Sequence, residues 1–432
     1  MQFTGSRIRF WVTAGFILSL PFMAPLSGQV QTRPVEGLRD NTPRVFALVH
    51  ARIVQKPGVI INDGTVVIRD GVIEAVGKQV NIPPDARIVD YTGRTLYPGL
   101  IELYQPMAEP KPQGGSGQNA PRQQKTEPAA SAAGHWNSRV HPEWRAVDHL
   151  RPEAKTLEAL RKLGFTGALM VPPKGIFRGT GALISLGDGE INTNVIREEV
   201  AQHVAFERGG FGSGEYPGSL MGAIALIRQT LLDARWYQAA QEAYRRHPQG
   251  QSPPEINLAL EALQPVIRRQ LPVIWEVDDD LNFFRAARII REFGLKAIIR
   301  GSGYEYRQIQ AIKATGLPVI LPLEFPRELD VETPEEALNV NLIDLQHWEA
   351  APFNPRRLHE AGIPFAITHT SRDKKADFYA NLRRAIEKGL PEDAALEALT
   401  LTPARLAGVD HLLGSIEPGK RAHLIVTDKN LF

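Results

Sequence analysis

From about residue 153 to residue 407 the chain alternates short apolar runs with longer amphipathic segments, and this alternation restricts the fold more than any other feature. Helical spacing is expected over 153–163, 220–244, 256–269, 280–293, 306–315, 335–350, 354–361, 375–388 and 391–407. Between them lie apolar runs of strand length at 167–171, 182–186, 195–206, 272–276, 296–300, 317–321 and 364–368. Strand and helix in alternation imply a parallel sheet covered by its own crossover helices. Over this length the expectation is an α/β fold of the TIM-type (β/α)8 barrel, whose functional groups sit at the C-terminal ends of the strands.

The segments on either side read differently. Residues 45–95 alternate like short strands with turn punctuation at Lys56-Pro57-Gly58, Asp63-Gly64 and Asp70-Gly71. The two Asp-Gly pairs are tight-turn signals, so a small β-sandwich is expected here. The run 96–104 is almost unbroken in apolar character, interrupted by Pro98-Gly99 and Glu102, and suits a strand buried on both faces. Residues 107–140 are rich in Pro, Gly, Gln, Ala and Ser without apolar periodicity, which predicts a disordered insertion into the barrel, with a lid as the functional alternative.

Bulk composition removes several classes of function. The chain has 432 residues, 43% of them apolar, enough for one large domain and a small one. A formal charge of +2 argues against a nucleic-acid surface. The absence of cysteine excludes disulfides, thiolate metal sites and a thiol nucleophile. Arg7 and Arg9 precede an apolar stretch that is broken by Pro21 and Pro25 and followed by Ser27-Gly28. Residues 1–30 are therefore expected to be a signal peptide for export to the periplasm or beyond, with no membrane span after cleavage.

Three stretches carry a family resemblance. Pro98-Gly99-Leu100-Ile101-Glu102 resembles the PGLID-x-H-x-H text of the first barrel strand in the amidohydrolase superfamily. The segment around Thr400-Leu401-Thr402-Pro403-Ala404 and the tail from Leu413-Gly414 through Pro418-Gly419-Lys420 resemble the TLNPA and LGSIEPGK motifs of the same superfamily. The middle is similar to its imidazolonepropionase-like branch. The resemblance implies a composite fold: a sandwich from 45–97 and 411–432, and a barrel over 98–410. By the same likeness the chain is expected to stop one or two strands before such a sandwich finishes.

The resemblance also implies a divalent metal such as zinc, held by histidines on several strands and by an aspartate on the eighth. At those positions this chain carries Tyr104 and Pro106 on strand one, Trp275 on strand five, Arg300 on strand six and Thr370 on strand eight. No lysine on 195–206 could bridge two metals. Such a metal lowers the pKa of bound water and polarises the scissile carbonyl, while a carboxylate shuttles the proton. Pro106, Trp275 and Arg300 offer a cation nothing, and Tyr104 and Thr370 are poor ligands. No metal or other cofactor is therefore expected.

Glu276, Arg300 and His369 are the candidates for a rebuilt site, with Glu276 and Arg300 binding a polar ligand and His369 acting as a base. The alternatives are that Asp278, Asp279 and Asp280 cap the following helix and pair with Arg300, and that His369 is an ordinary loop residue. Asp373 is a further replacement base if its loop shifts. His135, His141 and His149 lack ligand spacing, and His359-Glu360 lacks the second histidine of a zincin. Gly209–214 resembles a phosphate loop in composition alone, and no serine sits in a nucleophile elbow. The expected function is a non-catalytic partner or scaffold for an active amidohydrolase module or subunit. Two alternatives stand beside it: a C–N hydrolase with an atypical site, and a small-molecule binding barrel.

Overall fold

The computed structural model describes residues 44–108, 133–209, 215–329, 331–370 and 377–432. The expected signal peptide, most of the insertion, residues 210–214 of the glycine-rich loop, Ser371 and Asp373 lie outside the described residues. No helix among those described is long and apolar enough to cross a membrane.

The first sheet is built from β1 (Val45–Lys56), β2 (Val59–Arg69), β3 (Val72–Gly77), β4 (Arg87–Asp90) and β5 (Thr95–Pro98). The tail strand β16 (Leu424–Thr427) joins it by pairing antiparallel with β5. β1 serves two partners: its first half pairs with β4 and its second half with β5, both in parallel. The change falls at His50, whose φ of 58° bends the strand. Apolar side chains pack on both faces, Leu48, Ile53, Ile73 and Leu96 on one, Val45, Ala47 and Val67 on the other. Asp70-Gly71 makes the tight β2–β3 turn, with both residues at positive φ. The expected turn at Asp63-Gly64 is corrected. These residues lie within β2 as a bulge opposite Ala51, and the chain reverses instead at Pro57-Gly58.

The barrel wall follows with β6 (Leu100–Pro106), β7 (Phe165–Val171), β8 (Phe177–Thr180), β9 (Ala182–Ser185), β10 (Val195–Arg197), β11 (Gln202–Ala205), β12 (Val273–Glu276), β13 (Ala297–Arg300), β14 (Val319–Pro322) and β15 (Phe365–Thr368). They form two sheets, ordered β10-β9-β7-β6 and β15-β14-β13-β12-β11-β8. β8 and β9 are consecutive, separated by Gly181, and run antiparallel to their neighbours β11 and β7. The wall is thus not wholly parallel as the alternation suggested. β15 meets β6 through side chains: Thr368 Oγ1 donates to Glu102, and Thr370 Oγ1 donates to the Tyr104 carbonyl at 2.6 Å.

The two-residue pleat divides the wall into layers. Ile101, Leu169, Ile274, Ile298, Ile320 and Ala366 pack together in one cluster. Their neighbours Trp275, Ile299, Leu321 and Ile367 pack in the other, with the helices. The helices Asp280–Phe293 and Asn354–Ala361 have the expected bounds, and each ends on a left-handed glycine.

The run 96–104 divides into two elements at Gly99. Pro98 pairs with Leu424 of the first sheet and Leu100 with Phe165 of the barrel. A Cβ on Gly99 would lie 2.1 Å from Thr166 Oγ1, so the close passage of the two layers requires glycine there. The expectation of disorder through residue 140 is also corrected at its end. His135 and Asn137 are buried, and Val140 bridges to Phe177, because Asn137 bonds the turn around it and the Tyr216 carbonyl.

Candidate functional site

Five strands bring charged and aromatic side chains together at one end of the wall. Tyr104, near the end of β6, donates its hydroxyl proton to Glu276 Oε2 at the end of β12. Arg178 on β8 donates from Nη1 to the same oxygen at 2.6 Å and to the Tyr104 hydroxyl at 3.1 Å. Arg300, at the end of β13, lays its guanidinium 5.1 Å from the centre of the Tyr104 ring. His203 on β11 meets the edge of that ring at 6.5 Å. The Arg178 charge continues outward through Glu207, which receives Arg139 at 2.9 Å.

Burial sets the electrostatics. It pushes the Glu276 carboxyl up, but Arg178 and Arg300 outweigh it and hold the group below its ordinary 4.5. Burial and the Glu276 charge raise the Tyr104 phenol, which stays protonated and donates. His203, buried and near Arg178, is driven down to about 3 and is neutral, with its Nε2 lacking a hydrogen-bond partner among the described residues. The Glu276 side chain stays 30% exposed and Arg178 11%, so the carboxylate is the member of this group that solvent reaches most.

A second buried pair lies between β6 and β15. Glu102 is completely buried and accepts from the Tyr104 amide at 2.7 Å, the His369 amide at 2.9 Å and Thr368 Oγ1. His369 Nδ1 lies 2.7 Å from Glu102 Oε2. Burial opposes both charges, yet each stabilises the other: His369 is raised and Glu102 lowered from their ordinary values. The His369 ring rests on Phe165, which meets Phe378 at the start of the helix Phe378–Glu387.

The candidates named from sequence therefore separate. Glu276 and Arg300 share the Tyr104 cluster, while His369 belongs with Glu102. Glu276 takes its direct ion pair from Arg178, and Arg300 donates instead to the Gly301 and Thr370 carbonyls. The capping alternative is seen in part: Asp279 caps the helix Asp280–Phe293 and Asp278 binds Asn282, while Arg300 bonds the Gly301 and Thr370 carbonyls.

Of the positions expected from the resemblance to be substituted ligands, Tyr104 is central to the cluster and Thr370 pins β15 to β6. Pro106 is exposed at the end of β6. Trp275 is corrected. Its ring packs on Phe206 in the helix-side cluster, and the pleat gives Glu276, one residue on, the facing position. Arg178 and His203 were not singled out from sequence. The available signal is a lone arginine in the largely apolar stretch Ile176 to Leu186, ahead of the strand expected at 182–186.

Comparison with known proteins agrees with this architecture. Residues 353–431 match the model of the Amidohydrolase family. A dihydroorotase from Anaeromyxobacter dehalogenans (strain 2CP-C) is 35% identical over 66 residues, spanning 15% of this chain and 15% of that protein. The crystal structure of an amidohydrolase from Thermotoga maritima MSB8 superposes with a TM-score of 0.69 at 21% identity, over 89% of this chain and 94% of the other. Another solved amidohydrolase gives a TM-score of 0.51 at 15% identity, over 90% and 93%. Residues 353–431 thus match the Amidohydrolase family, and the chain shares the fold of solved amidohydrolases over about nine tenths of its length.

Proposed function

We propose that this chain is an exported, imidazolonepropionase-like member of the fold that has lost its catalytic metal site and serves as a non-catalytic partner or scaffold of an active hydrolase. The observation that supports it is the Arg178–Glu276–Tyr104 contact beneath Arg300. A divalent ion needs deprotonated groups with lone pairs, and a guanidinium has none to offer. Two fixed cations repel a third. The Glu276 carboxylate is already engaged by Arg178, and the Tyr104 phenol holds its proton. Among the described residues no three His, Asp or Glu side chains converge as metal donors. The residues present do not fit a divalent ion, and no hydrolytic step is routed through one.

The test is elemental analysis of the purified chain after expression with added zinc and manganese, together with hydrolysis assays on cyclic amides and dipeptides. The expected result is metal far below one ion per chain and no turnover. Stoichiometric metal with metal-dependent turnover overturns the reading in favour of an atypical C–N hydrolase. The exposed part of the Glu276 carboxylate favours a second reading, a small-molecule binding barrel. In that case ligands that raise the unfolding temperature of the wild type lose their effect in Glu276→Ala and Arg300→Ala.

A further inference from the structure

Between β14 and the helix Asn354–Ala361 the chain makes an excursion through two short helices, Pro334–Leu338 and Leu342–Ala350. The second is held to the body by its aromatic side. His347 stacks on Tyr304 at 4.0 Å, and Trp348 lies under Arg384. Aliphatic side chains of both helices are left outside: Leu338 of the first is 86% exposed, and Leu342 and Ile343 of the second 68% and 61%. A cluster of large aliphatic groups this exposed marks a contact surface. The segment itself is one-signed: residues 331–350 contain five carboxylates and no lysine or arginine.

The opposite chemistry occurs elsewhere on the same chain. A groove runs between the helices Asp280–Phe293 and Ile309–Thr315. Phe284, Ile290 and Leu317 supply apolar lining, Arg269, Arg288 and Arg291 border it, and no carboxylate lines it. These three arginines are exposed, and none makes a side-chain ion pair among the described residues. An amphipathic helix in an apolar groove is a recurring docking mode, with complementary charge fixing its orientation.

We propose that the acidic, aliphatic helix pair 334–350 of one copy docks into the arginine-bordered groove of a second copy of this chain. Leu338, Leu342 and Ile343 enter the groove, and Glu335 and Glu349 face Arg288 and Arg291. Self-association of this kind stands whether or not the mouth is catalytic.

The experiment is sedimentation velocity of the full chain, with two charge-reversed variants, Arg288→Glu/Arg291→Glu and Glu335→Arg/Glu349→Arg. All four positions are exposed, and unchanged thermal unfolding of each variant in isolation checks that it folds. Wild type is expected to associate, each variant alone to be monomeric, and an equimolar mixture to associate again, because reversed groove meets reversed helix pair. Raising salt should weaken all of these species. A wild type monomeric at every concentration overturns the inference, even if the chain captures a different protein. So does an oligomer that both variants retain, or a mixture that stays monomeric.

Discussion

Replacing Arg178 by methionine tests the central cluster most directly. Methionine keeps much of the buried stem but removes the guanidinium that bonds both Glu276 Oε2 and the Tyr104 hydroxyl. Removing one partner of a buried ion pair costs about 3–5 kcal/mol, because the remaining charge stays desolvated. Partial exposure of Glu276, with Arg300 nearby, brings the expectation to about 2–3 kcal/mol at pH 7. The pH dependence has a definite sign. The Glu276 carboxyl is depressed in the folded wild type, so its contribution is present above 4.5 and is lost as pH falls through the depressed value. In Arg178→Met the carboxyl loses its strongest attractive partner and burial pushes it up. The penalty should therefore shrink as pH falls from 7 toward 4. The assay is urea unfolding followed by tryptophan fluorescence at several pH values, with Glu276→Gln and the double variant completing a cycle. A penalty that does not change with pH, or a double variant equal to the sum of the singles, would refute the reasoning.

Two further outcomes follow from the same geometry. For the Glu102–His369 pair, the contribution of His369 is complete below 6.5 and lost as pH rises through its raised value, while that of Glu102 is present above 4.5 and lost below. Wild type should lose stability as pH rises from 6.5, and His369→Ala should abolish that slope while costing about 2–4 kcal/mol at pH 6, measured by urea unfolding across the range. Gly99→Ala should destabilise by about 2–3 kcal/mol, since the new methyl meets Thr166 side-chain atoms, and adding Thr166→Gly should recover part of the loss in thermal unfolding.

The stretch that matches the Amidohydrolase family was legible because it is contiguous text. Of the candidate site, Tyr104, Glu276 and Arg300 were legible one by one, and their grouping was not. Tyr104 and Glu276 are separated by 172 positions and Arg178 and Glu276 by 98, so no local pattern joins them. Trp275 shows the limit in its smallest form: a strand's sequence does not state which of two adjacent residues faces inward until its register is set.

What the sequence determined by itself was periodicity. The helix Asp280–Phe293 follows from Asp279 at its cap, an apolar stripe and Gly294 at its end. The turn at Asp70-Gly71 follows from two residues that tolerate positive φ. These are interactions within a few residues, and they leave a local trace. Tertiary structure alone decided that Asp63-Gly64 is a bulge, that β8 and β9 run antiparallel, that His369 joins Glu102, and that Arg178 occupies the mouth with Glu276. Each depends on which strands become neighbours and which face is buried. The partner that holds each charge then comes from another strand, where only the tertiary packing places it.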